Sequence, residues 1–153
     1  MSDKEVINVI EEYFQHYEKL DFAKCEKIWD FNHDRISLKP TELAEPIVTA
    51  EGIKDYFELN FLIDLEIWRP TKFRVVDLIR DDVAFVLADM VCRFTIKDGD
   101  VQREKFKTGE LPWAPGHQVR WAGVSSFVLH KKNGEWKFIH YEDSTPWNLE
   151  NLG

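Results

Sequence analysis

The 153-residue chain has only two cysteines, Cys25 and Cys92, one in a helical pattern and one in a strand pattern. With no C-x-x-C motif, a metal knot or a dithiol redox site has no support. Free thiols and a charged opening, MSDKEVINVIEEYF, lead to the expectation of a cytoplasmic protein without a signal peptide. No apolar run approaches the ~18 residues that a membrane span needs. Basic residues are outnumbered, 20 Lys and Arg against 28 Asp and Glu, for a formal net charge of -8. Such a chain repels polyanions, so neither nucleic acid nor an acidic membrane surface is an expected partner. No glycine-rich phosphate loop is present. No two of the five histidines stand at metal-ligand spacing on one element, so neither a metal nor a cofactor is expected. Ser125-Ser126 lacks the Gly-x-Ser-x-Gly elbow of a serine nucleophile.

Aromatic residues, by contrast, are plentiful: eleven Phe, six Trp and four Tyr. Large rings fill cores and also line pockets for flat or greasy ligands. The length suits one domain, read as spanning 1–153. Val6, Ile7, Val9, Ile10, Tyr13, Phe14 and Tyr17 recur at helical spacing, and Ser2 followed by Glu5 fits a capping box. A second helix is predicted over Asp21 to Trp29 with Asp21 as N-cap. Ile36 and Leu38 alternate as in a short strand. A third helix starts near Glu51 and extends toward Leu65, with Pro70 as its limit.

Beyond Pro70 the period becomes that of strands: Phe73 to Ile79, Val83 to Ile96, a short Val101 to Lys107, His117 to Lys131 and Glu135 to Asp143. Asn133-Gly134 predicts a two-residue type I′ hairpin. Counting outward from that turn pairs Phe127 with His140 and Val128 with Ile139. It sets Val124, Ser126, Val128, Ile139, Tyr141 and Asp143 on one face. The expected fold class is α+β, a curved antiparallel sheet forming a cone closed by N-terminal helices.

Helices followed by a strand meander ending in Asn133-Gly134-Glu135-Trp136-Lys137-Phe138-Ile139-His140 resemble the nuclear transport factor 2-like superfamily. That group includes the SnoaL-like polyketide cyclases, the ketosteroid isomerases and the scytalone dehydratases. The strand Val119 to His130, the helical Tyr13 to Trp29 and the run Glu51-Gly52-Ile53-Lys54-Asp55-Tyr56-Phe57 carry the same likeness. The nearest resemblance is to scytalone dehydratase. Its Tyr-Asp pair falls at Tyr17-Glu18, its two catalytic histidines at Trp68 and Arg93, and a pocket Asn at Ser126. Both histidines are therefore absent, and the dehydratase's own proton relay does not carry over.

The resemblance implies that the Tyr141 and Asp143 face lines the pocket, together with Phe85, Leu87, Asp89, Val91 and Arg93 on the middle strand. The wholly apolar set Ala84, Val86, Ala88, Met90, Cys92 and Phe94 then lies outside, where it would join copies into a homodimer or homotrimer. The candidate acid–base groups are Asp143, Tyr141, Glu18 and Asp89, with Arg93 stabilising developing negative charge. Tyr17, Trp68, Phe85, Trp113, Val124 and Ser126 are candidate substrate-binding residues. Each has a structural alternative. Asp143 could open a turn with Ser144-Thr145-Pro146, Glu18 could pair with a lysine, Asp89 and Arg93 could form salt bridges with neighbouring elements, and Trp113 could pack on the sheet rim instead of serving a lid.

The expected activity is that of a cofactor-independent lyase or isomerase acting on a hydrophobic, cyclic small molecule. The alternative is a non-catalytic binding or association domain. An enclosed cavity above ~300 Å³ is the feature that separates them.

Overall fold

The computed structural model describes residues 3–144. The Ser2 cap and the segment from Thr145 onward lie outside the described residues. In chain order the elements are α1 (Asp3–Glu18), α2 (Phe22–Ile28), β1 (Ser37–Lys39), α3 (Ala50–Leu59), a single 3₁₀ turn (Asn60–Leu62), β2 (Ile63–Arg80), β3 (Val83–Ile96), α4 (Asp100–Lys107), β4 (Gln118–Lys132) and β5 (Glu135–Ser144). The five strands form one sheet in the order β1-β5-β4-β3-β2.

The helices start where the sequence supplies caps. Asp21 accepts the Lys24 backbone N–H at the head of α2, and Thr49 accepts that of Gly52 at the head of α3. A Cβ at Gly52 would stand 2.6 Å from Ile47 Cγ2, so the close approach of α3 to that segment needs glycine. The turn between α1 and α2 places Leu20 at φ 56. Asn133 and Gly134 take φ 53 and 81, the left-handed pair that the hairpin turn demands.

Four details differ from the sequence-based expectation. Strand β2 begins at Ile63 and runs straight through Pro70. As an edge strand it tolerates a residue without an N–H, and its pairing slips by one residue between Pro70 and Lys72. Residues Asp100 to Lys107 form a helix, not a strand. Asp100 sits in its first turn and Lys105 and Lys107 in its last, matching the helix dipole. Its apolar Val101 and Phe106 remain 57% and 44% exposed. The sheet is mixed rather than wholly antiparallel, because β1 runs parallel to β5 with Leu38 beside Tyr141.

The fourth difference decides which residues face the helices. Pairing along the hairpin is regular from Lys132–Glu135 to Leu129–Phe138, but Val128 then pairs with His140. Ile139 is an extra residue, a β-bulge, and it exchanges the faces of everything beyond it on β5. Tyr141 and Asp143 therefore share the inner face with Phe127 and Ser125, their cross-strand partners. Val124, Ser126 and Val128 lie on the outer face.

On β3 the expected faces are likewise reversed. Ala84, Val86, Ala88, Met90, Cys92 and Phe94 are buried, while Phe85, Leu87, Asp89, Val91 and Arg93 alternate with them as half-buried residues. The helices must rest on a surface that buries no charge, and only the Ala84-to-Phe94 set provides one. The apolar outer face that could join copies is thus Phe85, Leu87, Val91, Val124 and Val128, not the Ala84 series.

Between α1 and the inner face lies a cluster of rings. Tyr13 packs on Phe138 at 4.6 Å between centroids, Tyr141 on Phe127 at 4.7 Å, and Phe14 edge-on to Tyr141 at 5.6 Å. Edge and tilted pairs of this kind each contribute about 0.5–1.5 kcal/mol beyond their buried area. The far end of the helical layer is tied to the sheet by Asp30. Its carboxylate meets His130 Nε2 at 2.6 Å and Lys132 Nζ at 3.5 Å. His130, read from the sequence as solvated, is therefore a hydrogen-bond partner of Asp30.

Candidate functional site around Asp143

Asp143 is 7% exposed and points from β5 into the layer between sheet and helices. Its Oδ1 accepts a 2.6 Å hydrogen bond from Ser125 Oγ. Burial raises the carboxyl to about 7, against hydrogen bonds from Ser125 and Tyr141 that pull it down; the charges of Glu42 and Glu142 push further up. A carboxyl at that position is half ionised near neutral pH and can both take and give a proton.

Tyr141, two residues earlier on the same face, is fully buried. Its hydroxyl accepts the Trp68 indole N–H at 3.2 Å. Burial pushes its own pKa well above the usual phenol value, with Asp143 adding to the shift. The sequence of donors thus runs from Trp68 Nε1 to Tyr141 Oη and on toward the Asp143 carboxyl.

These groups border a small hollow closed by Tyr13 and Tyr17 from α1, Tyr56 and Phe57 from α3, and Leu38 and Pro40 at the end of β1. The Tyr17 hydroxyl is buried without a hydrogen-bond partner. Asn60, its polar neighbour, directs its amide hydrogens to the carbonyls of Tyr56 and Phe57 at 3.3 and 3.1 Å. An unpaired buried hydroxyl costs about 1–3 kcal/mol. The hollow measures about 10 Å³, the room of a single water. Among the described residues this hollow falls far short of the expected ~300 Å³, and the rings of Tyr13, Tyr17, Phe57 and Trp68 crowd its wall.

Of the residues singled out from the sequence, the structure brings four to this hollow: Asp143, Tyr141, Tyr17 and Trp68. The others are elsewhere. Glu18 forms a fork with Arg69, Oε1 to Nε at 2.7 Å and Oε2 to Nη2 at 2.8 Å, and also accepts the Trp68 backbone N–H at 3.0 Å. It pins the end of α1 to β2 and does not line the hollow. Replacing Glu18 with Ala is expected to cost about 1 kcal/mol in urea unfolding, since the mostly exposed Arg69 is screened by solvent. The pH dependence assigned below to Asp143 should be unchanged in that variant.

Asp89 and Arg93 lie on the outer face, paired with Arg74 and Glu66 respectively. Charges there find partners at the solvent margin that the ring-filled interior could not supply. Phe85, Val124 and Ser126 are outer-face residues for the bulge-related reason given above. Trp113 packs edge-on against Phe94 at 5.6 Å on the rim of the sheet. His140, expected opposite Phe127, instead lies between Ser37 Oγ at 2.7 Å and Ser126 Oγ at 3.4 Å on the outer side. Burial lowers its basicity.

Two tyrosines of the hollow, Tyr13 and Tyr56, and two further residues that act on Asp143, Ser125 and Glu42, are not among the site residues expected from the sequence. Tyr13 and Tyr17 are one helical turn apart, so recognising one pointed to the other. Ser125 was weighed only as a nucleophile. Tyr56 and the exposed Glu42, which accepts the Tyr56 hydroxyl hydrogen bond, carried no separate signal. Among the described residues, no group of three His, Cys, Asp or Glu stands together as metal ligands, and no helix is long and apolar enough to cross a membrane.

Solved structures give the arrangement its place. A protein assigned as a dehydratase of the nuclear transport factor 2-like family from Streptomyces avermitilis superposes with a TM-score of 0.72 at 13% identity, covering 95% of this chain and 97% of its own. The chain has the nuclear transport factor 2-like fold. A protein assigned as a scytalone dehydratase from Novosphingobium aromaticivorans gives 0.69 at 10% identity, over 94% of this chain and 83% of its own. The association domain of C. elegans calcium/calmodulin-dependent protein kinase II gives 0.60 at 21% identity, over 93% and 94%. No protein-family model matches the sequence, and no curated protein matches it. The nuclear transport factor 2-like fold hosts enzymes and association domains alike, so the function must be argued from the site.

Proposed function

We propose that this nuclear transport factor 2-like chain is a cofactor-independent lyase or isomerase of the dehydratase or cyclase type, acting on a hydrophobic, cyclic small molecule. The reading is carried by Asp143, a buried carboxyl at about 7 whose neighbours are a serine and a tyrosine hydroxyl rather than a cation. Burying a carboxyl without a basic partner is expensive, and an apolar residue would pack the same space at less cost. Groups held at such a cost gather at sites of proton transfer. In the proposed chemistry Asp143 takes the proton from carbon or oxygen of the substrate. The Tyr17 hydroxyl donates a hydrogen bond to the oxygen on which negative charge develops, and that of Tyr141 turns to the same oxygen once Asp143, having taken the proton, releases it. Trp68, held by its N–H to Tyr141, supplies a flat wall for the ring.

A substrate of that size needs the rings around the hollow to move apart. Native mass spectrometry of rapidly purified protein tests for an occupant directly. A retained mass of a few hundred daltons, lost on denaturation, supports the reading. A bare chain that also fails to quench or shift its tryptophan fluorescence with a panel of cyclic enones and phenols overturns it.

The ring-filled hollow, and the kinship in fold with an association domain, favour a second reading. In it the chain is a non-catalytic module that joins copies of itself through the outer sheet face. The half-buried Phe85, Leu87, Val91, Val124 and Val128 would form that contact. Sedimentation equilibrium should then show a dimer or trimer, and Leu87→Glu should reduce it to a monomer with its unfolding midpoint otherwise retained. A wild-type chain that stays monomeric to high concentration removes this reading. The two are compatible, since an enzyme can also assemble through that face.

A further inference from the structure

One wall residue of the hollow, Pro40, opens a short length of chain unlike the rest of the wall. Between β1 and α3 the backbone is pinned at its base by paired hydrogen bonds, Leu38 N–H to Ile47 O at 2.9 Å and Ile47 N–H to Leu38 O at 2.8 Å. Prolines stand just inside both ends, at positions 40 and 46. From Thr41 to Glu45 the backbone belongs to no helix or strand, and one local turn bond, Leu43 N–H to Pro40 O at 3.3 Å, is formed there. The tip is held by a side chain: Tyr56 Oη donates to Glu42 Oε1. Pro40 and Tyr56 are themselves wall residues of the hollow. The closed position also leaves the Thr41 hydroxyl buried without a hydrogen-bond partner. That penalty disfavours closure, and the hydrogen bond at the tip is one of the contacts that offset it, together with the packing of Pro40 in the wall.

We propose that the segment from Pro40 to Pro46 is a strap, latched to α3 by the Glu42–Tyr56 hydrogen bond and hinged at the Leu38–Ile47 bridge, that swings away to open the Asp143 hollow. The strap deepens the reading of the hollow as a ligand site by naming how the ligand gains access. Its opening needs no ligand to be observed.

Closure is also linked to the proton on Asp143. With the strap in this position the charge of Glu42 adds to burial in pushing the pKa of Asp143 up. The other groups facing Asp143 are Ser125 on β4, Tyr141 and Glu142 on β5, Tyr13 on α1, Tyr56 on α3 and Cys92 on β3. None is a cation, so nothing there offsets the repulsion between the two carboxylates. Linkage is reciprocal: if closing the strap favours the protonated Asp143, protonating Asp143 favours the closed strap. Releasing that proton therefore weakens closure, and the strap loosens as pH rises to about 7, with no further change above it.

Limited proteolysis with a glutamyl endopeptidase reads the motion on the full chain. Cleavage after Glu42 needs the segment extended and free, whereas Glu104 in α4 and Glu135 at the hairpin serve as internal references. With the enzyme's own pH profile divided out on a model peptide, the Glu42 rate should rise several-fold from pH 6 to pH 8. Tyr56→Phe, which keeps the ring and loses the latch, should raise it about 5- to 10-fold, in line with one lost hydrogen bond, and leave Glu104 and Glu135 unchanged. Asp143→Asn should hold the rate at its low-pH value throughout. Equal rates at Glu42 in wild type and Tyr56→Phe overturn the latch. A parallel rise at all three sites assigns the effect to global unfolding and also overturns it. Should the strap behave as described while no small molecule binds, the strap stands and the enzyme reading falls.

Discussion

Asp143→Asn is expected to make the protein more stable at pH 8 while leaving it equal or slightly weaker at pH 4. The sign follows from the raised pKa. In the unfolded chain an aspartate titrates near 3.9, and in the folded protein Asp143 titrates at about 7. Below about pH 4 the group carries its proton in both states and contributes no pH dependence. Between about 4 and 7 the folded state holds a proton that the unfolded state has released, so stability falls as pH rises, by about 1.4 kcal/mol per pH unit. Above 7 both are ionised and the full penalty, about 4 kcal/mol, is in place. Asparagine cannot ionise and retains an oxygen for Ser125 Oγ to donate to. Urea titrations of both proteins from pH 4 to pH 8 should therefore diverge in favour of the variant through that window. Two parallel stability curves would show that the Asp143 carboxyl is not held neutral by its surroundings, and the proton-transfer reading would lose its motivation. Turnover, once a substrate is in hand, should move in the opposite direction and be lost in the variant, the usual opposition between stability and a working site.

How this residue came to face inward explains what the sequence could and could not disclose. Apart from α4, the order of helices and strands was legible because periodicity, the Asp21 cap and the Asn133-Gly134 turn are local features that later packing left intact. The helix at Asp100–Lys107 was missed because its apolar residues, Val101 and Phe106, face solvent and give no burial pattern to read. The passage of β2 through Pro70 was missed because a proline is disqualifying inside a sheet and harmless on its edge, and edge position is a property of topology.

The face assignment failed at one residue. Counting by twos from the hairpin turn is valid until Ile139, where the bulge adds a residue that pairs with nothing. The inward orientation of Tyr141 and Asp143 matched the family resemblance, yet the same count carried Val124 and Ser126 inward and Phe127 and Ser125 outward. On β3 the charged Asp89 and Arg93 suggested a polar pocket wall, but each is neutralised on the outer surface by a partner from β2, Arg74 or Glu66. The ring-filled state of the hollow lay beyond reach for a different reason. Tyr13 and Tyr17 follow from helical spacing and Trp68 is a candidate pocket residue, but whether such rings line a chamber or fill it depends on the spacing of α1 and α3 from the sheet, and no local pattern encodes that distance.

Tyr141→Phe separates a catalytic arrangement of hydroxyls from mere filling of the core. The ring is retained, so packing against Phe127 and Phe14 is unchanged and no cavity forms. What is lost is one oxygen with two duties: it accepts the Trp68 N–H and it donates toward Asp143. At pH 5, where Asp143 is neutral in the folded state, the loss is that of an acceptor for a buried indole N–H, about 1–2 kcal/mol. At pH 8 the ionised carboxylate has also lost a donor, and the total should reach about 3 kcal/mol. The titration of Asp143, followed by carboxyl NMR or by the pH dependence of unfolding, should move upward from its wild-type position, because a hydrogen bond that favoured the charged form is gone. The Tyr141→Phe, Asp143→Asn double variant closes the argument. With no carboxylate to stabilise, removing the hydroxyl should cost the same at pH 5 and pH 8, so the pH-dependent part of the single-variant effect is the coupling between the two side chains. A pH-independent loss in Tyr141→Phe alone would mean that the phenol serves only Trp68, leaving Ser125 as the sole donor to Asp143.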